Sequence, residues 1–142
     1  MKKTTQELME LMKTSSDYME YLETNKEDIT SDHMRLDRAL AALIAEKKVK
    51  KADVIARSGI EPHYAYQIFS GMKLPTRDKV LMLCFGFSLS PEEAERLLKL
   101  TGYAQLYSKD LRDNALLFGL TKKMNVIDMN SILYDLELEL LQ

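Results

Sequence analysis

A chain of 142 residues, 46% hydrophobic and 30% charged, with no Trp, five Gly and three Pro, has material for one core but not for two ordinary domains. Nine Met beside abundant Leu, Glu and Lys favour helix, since straight-chain side chains lose little rotamer freedom there, and an all-β fold is nearly excluded. The net charge of −2 argues against a nucleic-acid binder only until the chain is divided: residues 1–33 carry 4 Lys/Arg and 8 Asp/Glu, residues 34–80 carry 10 and 5, and residues 81–142 carry 6 and 9, so a phosphate-binding face can sit on the basic middle third.

Met1-Lys2-Lys3 runs into Thr4-Thr5-Gln6-Glu7 with no apolar stretch behind it, so no secretion signal is expected. The longest apolar runs, Ala39 to Ala45 and Val80 to Phe85, are too short to span a bilayer. The single Cys84 cannot close an internal disulfide. A cytoplasmic location is expected.

Residues 1–30 read as an amphipathic helix and a linker. Leu8, Leu11, Met12, Tyr18, Met19 and Leu22 fall at helical spacing over Thr4 to Glu23, before a polar break. Residues 31–102 read as a helix-turn-helix domain. Ser31 is placed to cap a helix through Lys47; short helices follow over Lys51 to Ser58, closed by Gly59, and over Pro62 to Ser70, stopped by Gly71. Thr76 caps Arg77 to Phe87, and Ser90-Pro91-Glu92-Glu93 combines a cap, a first-turn Pro and a Glu three residues after the cap. Residues 103–142 read as a helical hairpin packed on the same core, over Ser108 to Thr121 and, after Asn125, Val126 to Leu138. This hairpin resembles the preceding one at an offset of 35: Arg77-Asp78 meets Arg112-Asp113, Leu81 meets Leu116, Leu83 meets Phe118, Ser90 meets Asn125, and Leu97-Leu98 meets Ile132-Leu133.

The segment from Val49 to Pro75 holds two helices of about two turns joined by a Gly-containing turn, which is helix-turn-helix spacing. Gly59 sits where the first helix must end left-handed, and Ile60 and Ile68 can seal the angle between the helices. Val54, Ser58-Gly59, Ile68, Gly71 and Pro75 together resemble the phage-repressor-like (Xre/Cro type) helix-turn-helix family, over about residues 34–101. The resemblance implies an all-α, lambda-repressor-like five-helix domain, here with an extra N-terminal helix and a C-terminal helical hairpin. Two positions depart from the family's pattern. Ile55 stands where the family usually has Ala, with Ala65 able to compensate for its bulk, and Lys50 stands at a helix cap where Ser, Thr or Asn is expected. Lys50 and Lys51 oppose the helix dipole and leave amides uncapped unless an anion such as a DNA phosphate arrives.

In that family the second motif helix enters the major groove. The resemblance then implies base contacts from the outward residues His63, Tyr64 and Gln67, with the Gln67 amide suited to adenine N6 and N7. A lone His is as readily a solvated imidazole, and Tyr64 and Tyr66 also suit the rim of a protein interface. Lys47, Lys48, Lys50, Lys51, Arg57, Lys73 and Lys79 surround this helix pair as phosphate-contact candidates. Cys84 reads as a buried small hydrophobe, and His33 and His63 lack ligand-spaced partners, so neither a metal nor another cofactor is expected. No Gly-rich phosphate loop, Ser-His-Asp or Cys-His pattern points to an enzyme.

The expected function is that of a sequence-specific regulator of transcription on double-stranded DNA, acting as a homodimer because one short recognition helix reads few base pairs. Tyr18, Met19, Leu22 and the tail residues Leu136, Leu138, Leu140 and Leu141 supply apolar surface for self-association or for a partner protein. The alternative is an interaction module, adaptor or antitoxin-like, on a repressor-like fold without DNA binding. Net acidity and the Pro62-His63-Tyr64-Ala65-Tyr66 surface favour it.

Overall fold

A computed structural model describes residues 3–29 and 33–142, which are all-helical and fall into two compact units, 1–32 and 33–142. In the first unit the single expected helix is two: α1, Thr5–Thr14, and α2, Tyr18–Thr24. The break follows from short polar side chains competing for the backbone. Thr14 Oγ1 and Ser15 Oγ both donate to the Leu11 carbonyl, and Asp17 accepts from the Met19 amide to start α2. The Tyr21 hydroxyl donates to the Leu8 carbonyl and ties the two helices together. Tyr18 and Met19 are exposed and Leu22 is half-buried.

The second unit contains α3 (Leu36–Lys47), α4 (Lys51–Ser58), α5 (Pro62–Phe69), α6 (Arg77–Gly86), α7 (Pro91–Thr101), α8 (Leu111–Thr121) and α9 (Val126–Asp135). Ser31, expected as the cap of α3, lies outside the described residues. α3 starts instead after the extended Arg35, whose guanidinium pairs with Asp37 at 3.0 Å. α8 starts later than expected, at the Asp110 cap. α9 ends earlier, because Glu137 turns left-handed (φ 59) and the Leu138 amide bonds back to the Leu133 carbonyl.

The buried side chains of α3–α9 form one cluster. α4 crosses α6 closely at Gly86, where a Cβ would lie 2.6 Å from the Val54 carbonyl oxygen. Gly59 supplies the left-handed turn (φ 76) between α4 and α5, and Ser58, fully buried, donates to the Ile55 carbonyl at 2.7 Å while accepting from the Ile60 amide. Ile55 and Ala65 are both buried.

The hairpins α6–α7 and α8–α9 are equivalent in structure as well as in sequence. Arg77 forks onto Asp113 (3.2 and 3.1 Å) and donates to the carbonyls of Ala104 and Gln105. Arg112, 35 residues later, forks onto Asp78 (3.0 and 2.8 Å) and donates to the carbonyls of Glu139 and Leu140. The carbonyl partners lie 35 residues later and the Asp partner 35 residues earlier, so each hairpin's Arg answers the other's Asp, the reciprocity of a two-fold interface. The match extends to the loops. Ser88 and Lys123 are left-handed with φ 55 and 56, and the Leu106 and Leu141 amides each donate at 2.7 Å, to the side chains of Glu95 and Asn130. That last bond pins the tail. Leu141 is buried and Leu138 packs on the core, so of the four tail leucines only Leu136 and Leu140 remain exposed.

Candidate nucleic-acid interface

The motif helices owe their ends to local chemistry. α4 begins after Lys50, extended and without a side-chain cap, so the amides of its first turn keep no side-chain acceptor. α5 begins differently. Glu61, absent from the sequence-based candidates, accepts from the amides of His63 and Tyr64, each at 2.8 Å. These two bonds, with a smaller contribution from His63, hold the Glu61 carboxyl below its usual range. Glu is not among the favoured N-cap residues; the available signal was the Pro62 that follows it, which fixes the first helical position.

α5 divides into two faces. Ala65 and Ile68 are buried against the core. His63 is exposed and Gln67 half-buried, one turn apart, with Gln67 Nε2 3.4 Å from His63 Nε2. The structure does not keep Tyr64 in that row. Its ring is half-buried on the core, with the Lys79 ammonium 5.6 Å from its centroid, because residue 64 turns about 100° away from residue 63 on a helix. Tyr66 and Ser70 are exposed instead. After α5 the chain folds back on it: the Gln67 carbonyl accepts from the Met72 and Lys73 amides and from Ser70 Oγ, and Gln67 Nε2 lies 3.7 Å from Met72 Sδ. Met72 and Lys73 thereby flank the His63–Gln67 row, and Met72 is 70% exposed.

The seven cations differ in availability. The Lys51 ammonium lies 5.4 Å from the Phe69 ring centroid, which brings the start of α4 beside the end of α5. Lys79, over Tyr64, brings the start of α6 beside the start of α5. Lys48 (left-handed, φ 54), Lys50 and Lys73 are exposed. Arg57 Nε donates to the Gly86 carbonyl at 3.0 Å and so serves the α4–α6 crossing. Lys47 departs from expectation: half-buried, it forms an ion pair with Glu93, whose carboxyl is held low by Lys47 and by the Ser90 amide. Its ammonium neutralises the Glu93 carboxylate in the first turn of α7.

Elsewhere, burial raises the Cys84 thiol to about 12, leaving it protonated and inert. Among the described residues no cluster of three His, Cys, Asp or Glu side chains is placed to hold a metal ion, and no helix is long and apolar enough to cross a membrane. A cleft of about 180 Å³ between α3 and α7 is lined by Met34, Leu43, Leu97 and Leu100, with Glu46 and Arg96 at its rim. No family model matches the chain, and neither the curated proteins nor the solved structures contain a match to it.

Proposed function

We propose that the chain is a sequence-specific DNA-binding regulator of transcription of the Xre/Cro type, in which α3–α7 act as a lambda-repressor-like module and α5 reads the major groove. The observation that carries this is the division of α5. Its His63 and Gln67 share one outward row, 3.4 Å apart, opposite the buried Ala65 and Ile68. Lys51 and Lys79 bracket the helix at its two ends. Bases are read by the row, and phosphates by the bracketing cations together with the uncapped start of α4. The activity is binding, without catalysis or a cofactor. It takes place in the cytoplasm, as a homodimer on half-sites about one helical turn apart.

One observation favours the second reading, an interaction module that does not bind DNA. The Glu61 carboxylate occupies the start of α5 and opposes a phosphate there. Selection from a pool of random double-stranded DNA, with sequencing of the retained fragments, separates the two. An enriched motif is expected; no enriched motif even at low salt assigns the chain to the second reading. Sedimentation with and without the enriched DNA tests the dimer.

A further inference from the structure

The equivalence of the two hairpins supplies an internal control for the surface of α9. At an offset of 35, Glu92, Arg96, Lys99 and Gln105 of the first hairpin correspond to Ile127, Ser131, Tyr134 and Leu140 of the second. The four positions face solvent in both copies. One copy carries charged and polar side chains there, as a solvated face does. The other carries Ile127 at 78% exposure, Tyr134 at 73% and Leu140 at 38%. Exposure does not explain the difference, since the corresponding positions of the first copy are exposed and carry charge or an amide.

The apolar positions form one shallow groove. Ile127, Ser131 and Tyr134 follow one another along α9, and Leu140 stands beside them because Asn130 bonds both the amide and the carbonyl of Leu141. The small Ser131 between two large neighbours leaves a notch. The stripe spans about 10 Å, two turns of helix.

Charge decides what fits. Residues 124–142 contain Asp128, Asp135, Glu137 and Glu139 and no Lys or Arg. None of the four carboxylates is in an ion pair among the described residues. An acid-rimmed apolar stripe repels DNA and anionic lipid. It also disfavours a second copy, because two-fold pairing of α9 would set the Asp128 and Asp135 edge against itself. We propose that this groove docks a basic amphipathic helix of another protein, whose apolar residues cover Ile127, Tyr134 and Leu140 and whose flanking Lys or Arg side chains meet Asp135 and Glu137.

The probe is a fluorescent synthetic peptide of about 14 residues made of Leu and Lys, with Leu at i, i+3, i+4 and i+7. It is titrated with the full chain by anisotropy, beside a Leu/Glu peptide of the same pattern and a Leu/Lys peptide of scrambled order. The Leu/Lys helix should bind at least about tenfold tighter than either control. Ile127→Glu with Tyr134→Lys, which installs the first hairpin's residues at positions that already accept them, should weaken it by about tenfold or more. Asp135→Asn with Glu137→Gln should weaken it several-fold and flatten its salt dependence, and this pair decides the matter should the first variant fold poorly. Equal affinity for the Lys and Glu peptides, or affinity unchanged by the variants, overturns the proposal. Dimerisation of the wild-type chain that Ile127→Glu with Tyr134→Lys abolishes would overturn it too, assigning the groove to a second copy.

Discussion

Gln67→Ala compared with Ile68→Ala separates reading bases from holding the fold, although the two residues are neighbours on one helix. Gln67 is half-buried, and its side-chain amide makes polar contacts with His63 Nε2 at 3.4 Å and Met72 Sδ at 3.7 Å. Both contacts are long, so truncation beyond Cβ should cost the fold less than about 0.5 kcal/mol, the scale of an ordinary surface substitution. The Gln67 carbonyl, which fastens Ser70, Met72 and Lys73, is backbone and survives the change. A lost bidentate base contact would instead cost about 1–3 kcal/mol on the preferred site, or about 5- to 150-fold in affinity. Random DNA, held through phosphates, should lose little. Ile68 is 1% exposed, and its truncation leaves a cavity costing about 2–5 kcal/mol of stability. Binding to every DNA should then fall together with the melting temperature. The assay is a pair of titrations, on selected and on random DNA, with a thermal melt of each variant. A well-folded Gln67→Ala protein that loses equally on both DNAs would refute the assignment of the reading row.

The remaining predictions concern charge. DNA affinity should fall steeply with salt, and Lys51→Ala should flatten the log–log slope by about one unit, whereas Lys47→Ala, whose ammonium already faces Glu93, should leave it unchanged; equal slopes for the two variants would contradict the division of cations. Arg112→Ala strips Asp78, only 24% exposed, of its partner and frees two carbonyls, and should lower stability in a urea melt by about 1–3 kcal/mol. Arg77→Ala should do the same through Asp113, 11% exposed; loss from one variant alone would mean the two hairpins are not energetically equivalent. Glu93 is held below its ordinary 4.5 by Lys47 and the Ser90 amide, so its contribution is present above that value and is lost as pH falls through the lower folded value. Glu93→Gln should therefore flatten the acid limb of the stability curve below about pH 4.5 and leave its shape at neutral pH unchanged.

Helix starts were most legible where one side chain decides them. Thr76, Ser90 and Asn125 each accept from the amide three residues on, and all three caps could be read directly from residue type. Less legible were ends that depend on weaker local preferences. The interruption after Thr14 is made by Ser15 and Asp17 within an apolar period that continues across it, and α9 ends on a left-handed Glu137, a residue type that does not announce such a turn. Of the candidate site, His63 and Gln67 emerged together because they lie four apart on one helix. Tyr64 did not join them, because a neighbour in sequence is a quarter-turn away in space.

The sequence by itself determined the all-helical class, the positions of most caps, the short helix pair around Gly59 and the 35-residue echo between hairpins, since each depends on residues within a turn or two of one another. Only tertiary structure decided that Arg77 answers Asp113 while Arg112 answers Asp78, that Lys47 is spent on Glu93, and that Ile127 and Tyr134 face solvent where the first hairpin is charged. The reason is physical. Capping and periodicity are local interactions, whereas the partner of an ion and the exposure of a side chain depend on which distant helix packs against it, a choice made by the whole core at once.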